Sequence, residues 1–131
     1  MNEIEQATNE QFAELFRQRT KRLAIDVIRF SKTLSKTEEA IIMKRQLLRA
    51  STSVAANYRA ACRSRSSAEF YSKVSIVIEE ADETLFWFEL LEESETTTEL
   101  EIASLKREAT EILSVLAKAR KTMANSTPRN K

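Results

Sequence analysis

The sequence predicts an all-α protein, an antiparallel up-down-up-down four-helix bundle, from three observations. First, the 131-residue chain has no glycine and one proline, Pro128, near its end. Without those residues, positive φ in tight turns and breaks inside helices are both hard to supply, which disfavours β-hairpins and Rossmann-type loops. Second, four long segments carry apolar residues at three- and four-residue spacing, the period of one helix face. Third, the links between these segments are short and polar, which makes sequence neighbours antiparallel.

The first helix is expected from about Asn9 to Leu34, with Phe16, Thr20, Leu23, Val27, Phe30 and Leu34 on one face. In the link LSKTEE, Ser35 precedes Glu38 by three residues, a capping-box pattern that opens the second helix. That helix runs from about Lys36 to Arg63 along Ala40, Met43, Leu47, Ala50, Val54, Asn57 and Ala61. Ser66 and Glu69 repeat the capping signal ahead of a third helix, about Ser67 to Glu93, whose seam is Phe70, Val74, Val77, Ala81, Thr84, Phe88 and Leu91. Thr98 and Glu101 do so again before the fourth, about Glu99 to Ala124, with Ile102, Leu105, Ala109, Ile112, Leu116, Ala119 and Met123. Each helix is about 26 residues long, or roughly 39 Å, so all four can share one core. One domain is expected over residues 1–124, and the polar segment 125–131 reads as a tail. The competing architecture is a pair of long hairpins that complete their core by dimerising.

The same composition removes whole classes of chemistry. Without glycine there is no phosphate-cradling loop, and without histidine no Ser–His–Asp triad, HExxH zinc site or Glu-x-x-His di-iron pair. The lone Cys62 cannot make an internal disulfide and reads as a small packing residue. No enzyme, cofactor or metal site is expected. The best enzymatic case, a metal held by Glu79, Glu80, Asp82 and Glu83, ranks last because clustered acids on a helix are usually a solvated face. The start MNEIEQATNEQF is acidic where a secretory signal is basic and apolar, and no apolar run approaches the ~20 residues of a membrane span. A cytoplasmic protein without membrane contact is expected.

The stretch RASTSVAANYRAACRSRS, residues 49–66, holds the most information. Its seam shrinks from Met43 and Leu47 to Ala50, Val54, Asn57 and Ala61, which lets a neighbouring helix approach and gives Phe70, Tyr71 and Phe88 room. Asn57 is a polar seam residue, expected to bond across the bundle and fix register. Arg45, Arg49, Thr52, Ala56, Arg59 and Arg63 form a separate stripe at 4, 3, 4, 3, 4 spacing, roughly opposite the core. Charge is sorted along the chain: residues 41–73 hold seven bases and one acid, 74–101 ten acids and no base, 102–131 seven bases and two acids.

Three readings compete for the arginine stripe. It is solvated charge, or a face that meets the acidic face (Glu79, Asp82, Glu83, Glu89, Glu93) of another subunit, or a grip on nucleic-acid phosphates. The run LFWFELL, residues 85–91, bears on the choice, because it surrounds its helix with apolar residues that one seam cannot bury. Self-association through Phe86, Trp87 and Leu90, with Glu79 and Glu83 alongside, is therefore expected.

The segment QLLRASTSVAANYRAACRSRSSAEF, residues 46–70, resembles the signature of the bacterial four helix bundle proteins, also called 23S rRNA intervening-sequence proteins. That signature has the form Q-x-x-R-A-x-x-S-[IV]-x-A-N, a basic loop, then S-x-x-E-F. Gln46, Arg49, Ala50, Ser53, Val54, Ala56, Asn57, Arg65, Ser66, Glu69 and Phe70 match it. EEADETLFWFELLEE, residues 79–93, is similar to a subgroup of the same family, and the likeness covers about residues 20–120. Many members carry proline at the place of Ala55 and glycine at the places of Ala61 and Ser64, so here the turn after the second helix must close without glycine. The resemblance implies an antiparallel four-helix bundle that assembles as a homo-oligomer, usually a pentameric ring, with no enzymatic activity. It also implies kinship with the accessory proteins of diversity-generating retroelements, which bind nucleic acid and a reverse transcriptase.

The expected function is a nucleic-acid-associated accessory protein that contacts RNA or DNA phosphates through Arg45, Arg49, Arg59, Arg63 and Arg65. The alternative is an assembly or adaptor module that binds a protein partner and uses the arginines in subunit contacts.

Overall fold

A computed structural model describes residues 3–126, with side chains for residues 9–124. Four helices follow one another: α1 (Glu3–Ser31), α2 (Glu38–Cys62), α3 (Ser67–Glu93) and α4 (Glu99–Ser126), with no strand among the described residues. Each packs on its neighbours in sequence, and α1 meets α4 more sparsely to close the bundle. α4 extends past its expected end at Ala124, and the rest of the expected tail lies outside the described residues.

The predicted seams form the core. All six of α1's seam residues are buried, and Leu47, Val77 and Ile112 are fully excluded from solvent on α2, α3 and α4. Aromatic contacts tie the helices: Phe30 meets Phe88 edge-on and Phe16 meets Tyr58 at a tilt, each at 6.3 Å between centroids. Across the sparse side, Arg19 donates to Glu108 at 2.9 and 2.7 Å, and bonds to Glu108, then Glu111, push its already high pKa further up.

Three of the four seams need correction. On α2 the buried residue after Val54 is Tyr58, while Asn57 is only half-buried. Both choices preserve the three–four spacing, and the larger, mostly apolar ring takes the interior. On α4 the apolar seam continues to Ala119 and Met123, but Ala119 is exposed and Met123 half-buried because the bundle opens at that end. On α3, Phe70 is half-buried and Tyr71 exposed, so of the three rings expected to fill space beside α2 only Phe88 is buried.

Two of the three capping signals stand as read: Ser66 accepts from Glu69 N at 3.1 Å, and Thr98 from Glu101 N at 3.3 Å. The first shifts to Thr37, which accepts from Ala40 N at 3.4 Å. Lys32, Thr33 and Leu34 are still occupied in the closing turns of α1, which leaves Ser35 too early to cap α2. The α2–α3 turn closes without glycine through short bonds from Arg63 N to Ala60 O and from Ser64 N to Ala61 O, with no positive φ. The left-handed residue falls instead at Glu95 (φ 60°), where Thr96 N bonds Leu91 O and Glu95 N bonds Glu92 O. That is a Schellman ending, in which a non-glycine residue costs about 1–2 kcal/mol.

Candidate nucleic-acid interface and assembly surface

The arginine stripe divides into two parts. Arg49, one turn into the stripe, reaches across to α3, where Nη1 and Nη2 donate to Glu80 at 3.0 and 3.2 Å and Nη2 also meets Glu83. Ser53 donates to Glu80 at 3.0 Å, Asn57 donates to Ser53 Oγ at 2.8 Å, and the Trp87 indole donates to Glu83 at 3.0 Å. The result is a polar strap along the α2–α3 seam. Bonds to Glu80 and then Glu83 raise the Arg49 pKa, so the guanidinium stays charged and locally neutralised. Its carboxylate partners come from its own chain, which removes Arg49 from the set free to meet phosphate. The expected cross-bundle bond of Asn57 is corrected in the same way: its direct partners are Ser53 O and Oγ on its own helix. It lies off the seam centre, and only Ser53 carries the link to α3.

The strap has a predictable acid response. Glu83 is held below the usual carboxylate range by the Trp87 hydrogen bond and then by Arg49. Because the folded value is the lower one, this contribution is complete above an unfolded pKa of about 4.3 and disappears as pH falls through the depressed value. Both partners are open to water, so its size is at most about 1 kcal/mol. The thermal stabilities of wild type and Glu83→Gln should differ most near neutral pH and converge in acid. A difference that persists in acid would assign Glu83 a role unrelated to its charge.

The other arginines are unengaged. Arg45, Arg59, Arg63 and Arg65 are exposed, and their side chains make no hydrogen bond or ion pair among the described residues. Arg45 is near the α1–α2 end, whereas Arg59, Arg63 and Arg65 gather in and beside the α2–α3 turn. The antiparallel topology brings the last turns of α4, with Lys118, Arg120 and Lys121, to that same end. Arg65, Lys118 and Arg120 border one groove. Sequence reading passed over these α4 bases, although the excess of base over acid in residues 102–131 was their signal.

The outer face of α2 and α3 is different. Arg49 pairs with Glu83, and the helices are antiparallel, so moving seven residues along each brings Ile42 level with Leu90, about 10.5 Å away along the axis. Phe86 lies one turn before Leu90 on the same stripe. These three side chains are 54%, 37% and 51% exposed. Trp87, expected with them, is half-buried against the core and meets the Phe86 ring edge-on at 4.9 Å. Ile42 was missed because its relation to α3 depends on helix register. Glu79 and Asp82 are exposed, Glu80 and Glu83 are committed to Arg49, and no metal-holding group of three acids or cysteines exists among the described residues. Among those residues no helix is long and apolar enough to cross a membrane.

Comparison with known proteins gives a consistent answer. The family model described as 23S rRNA-intervening sequence protein matches residues 14–118. Among solved structures, a protein of unknown function from the S23 ribosomal protein family of Bacteroides thetaiotaomicron VPI-5482 is similar, with 31% identity and a TM-score of 0.77. The alignment covers 83% of this chain and 97% of that one. No match was found among curated proteins. With the family model spanning most of the bundle and the solved relative sharing its fold, this chain belongs to the 23S rRNA-intervening sequence protein family.

Proposed function

We propose that this chain is a non-enzymatic cytoplasmic accessory protein that assembles with copies of itself and holds the phosphate backbone of RNA or DNA. Arg59, Arg63 and Arg65 are the principal contacts, Lys118, Arg120 and Lys121 support them, and Arg45 is a separate contact near the opposite end. The observation that carries this reading is the gathering of bases that have no ion-pair partner among the described residues at the α2–α3 turn, while Arg49 is neutralised within the chain. Unpaired guanidinium groups bind phosphate by releasing condensed counterions, a mechanism that needs no glycine loop and no sequence code. In a closed ring, the pentamer that the family resemblance implies, every subunit adds such an end, and avidity strengthens a weak site.

Binding to a generic RNA and a generic duplex DNA, measured against salt, tests the proposal. Three phosphate contacts predict a slope of log affinity on log salt near −2.7 on duplex, about −0.9 for each phosphate. Replacing Arg59, Arg63 and Arg65 together by alanine should remove most of that slope and about a hundredfold of low-salt affinity, whereas Arg49→Ala should leave the slope unchanged. Absence of binding at low salt, or a triple variant that binds like wild type, would rule the reading out in favour of a pure assembly module. The exposed Ile42, Phe86 and Leu90 favour self-assembly under either reading.

A further inference from the structure

The open end of the bundle holds a groove of about 1100 Å³ between the start of α1, the α2–α3 turn and the last turns of α4. Its volume lies just above the range for small-molecule pockets, roughly 300–1,000 Å³, and it is not closed over. Phe12, Phe70, Val74, Val115, Leu116 and Met123 make its lining largely apolar. Arg65, Lys118 and Arg120 stand on its border, and no acid lines it among the described residues. Arg120 donates to Ser75 Oγ at 3.2 Å, a neutral partner, and makes no ion pair among the described residues. On α4 the three–four apolar seam runs on to Ala119, which is exposed.

We propose that this groove receives a lone amphipathic helix from a partner protein, with an apolar stripe on the lining and acidic residues against Arg65, Lys118 and Arg120. Charge complementarity selects an acidic occupant over a neutral or basic one. The shape selects a free helix. A cleft bounded on three sides needs a segment exposed on three sides, and the acidic stripe of α3 in a second copy is flanked by its own neighbours α2 and α4. Along α4 the lining runs from Val115 to Met123, about 12 Å, which suits roughly two turns of a docked helix in helix-in-groove recognition. A phosphate backbone has no use for the apolar lining, so the proposal extends beyond nucleic-acid binding.

The test uses the full chain and a synthetic helical peptide with leucine and phenylalanine at three–four spacing and glutamate on its flanks. The expected result is saturable micromolar binding, weakened about tenfold or more by Lys118→Glu with Arg120→Glu, and lost in Ala119→Trp, which fills the groove from an exposed position. The same peptide with lysine for glutamate should bind at least about tenfold more weakly to the wild-type protein, a comparison that depends on no variant folding. Ala119→Trp should leave oligonucleotide binding intact, and Arg63→Ala, outside the groove, should weaken oligonucleotide but not peptide. Equal binding of the two peptides would overturn the proposal, as would binding of neither. So would loss of oligonucleotide binding in Ala119→Trp, or a change in its sedimenting mass, which would mean that nucleic acid or a second copy fills the groove.

Discussion

Phe88→Ala is expected to lower the free energy of unfolding by about 3–5 kcal/mol, a large part of the roughly 5–15 kcal/mol that holds a domain together. Phe88 is fully buried on α3, and its ring is set edge-on to Phe30 of α1, so its removal leaves a cavity between non-adjacent helices. Two long helices on either side cannot collapse around that void without moving every contact along their seams. Trp87, the only tryptophan, is the preceding residue and reports the transition by fluorescence in a urea titration. Leu100→Ala is the control. Leu100 is 87% exposed at the start of α4, and its loss should change stability by no more than about 0.5 kcal/mol. If Phe88→Ala cost under about 1 kcal/mol, the shared interior of the four helices would be wrong.

Where the sequence was legible, it was legible for local reasons. Spacing of three and four is a property of a single helix, so the α1 seam and the buried positions Leu47, Val77 and Ile112 followed directly. Position 57 or 58 did not follow, since Val54 to Ala61 can be bridged by either residue with the same spacing. The outcome turns on what sits across the bundle: Phe16 packs against the Tyr58 ring, and burial, with Cys62 beside it, pushes the Tyr58 hydroxyl's pKa upward. The arginine stripe was visible, but the identity of its engaged member was not. That Arg49 faces Glu80 and Glu83 depends on the register of α2 against α3, which no single-helix pattern encodes. The convergence of Arg63 and Arg65 with Lys118 and Arg120 is likewise a product of topology, because half the chain separates the two groups.

In the proposed self-assembly, Ile42→Glu combined with Phe86→Glu should reduce the sedimenting species from a multiple of 15.0 kDa to the single chain at micromolar concentration. Burial of an unpaired carboxylate at an interface costs several kcal/mol, and about 4 kcal/mol is already a thousandfold in dissociation constant. The stripe on α3 is a particularly poor host for added acid, since Glu79, Glu83 and Asp82 already lie on or beside it. Both substituted residues are more than half exposed, so the isolated fold has little reason to object, and the helical spectrum should be preserved. Trp87→Ala provides the contrast. Trp87 packs against the core and bonds Glu83, so its loss should lower the unfolding midpoint while leaving mass unchanged. A wild-type chain that sediments at 15.0 kDa, or a double variant that keeps the wild-type mass, would show that these apolar residues face water. The binding ends would then act singly, without the avidity that a ring confers, and a site of three arginines would hold nucleic acid only weakly at physiological salt.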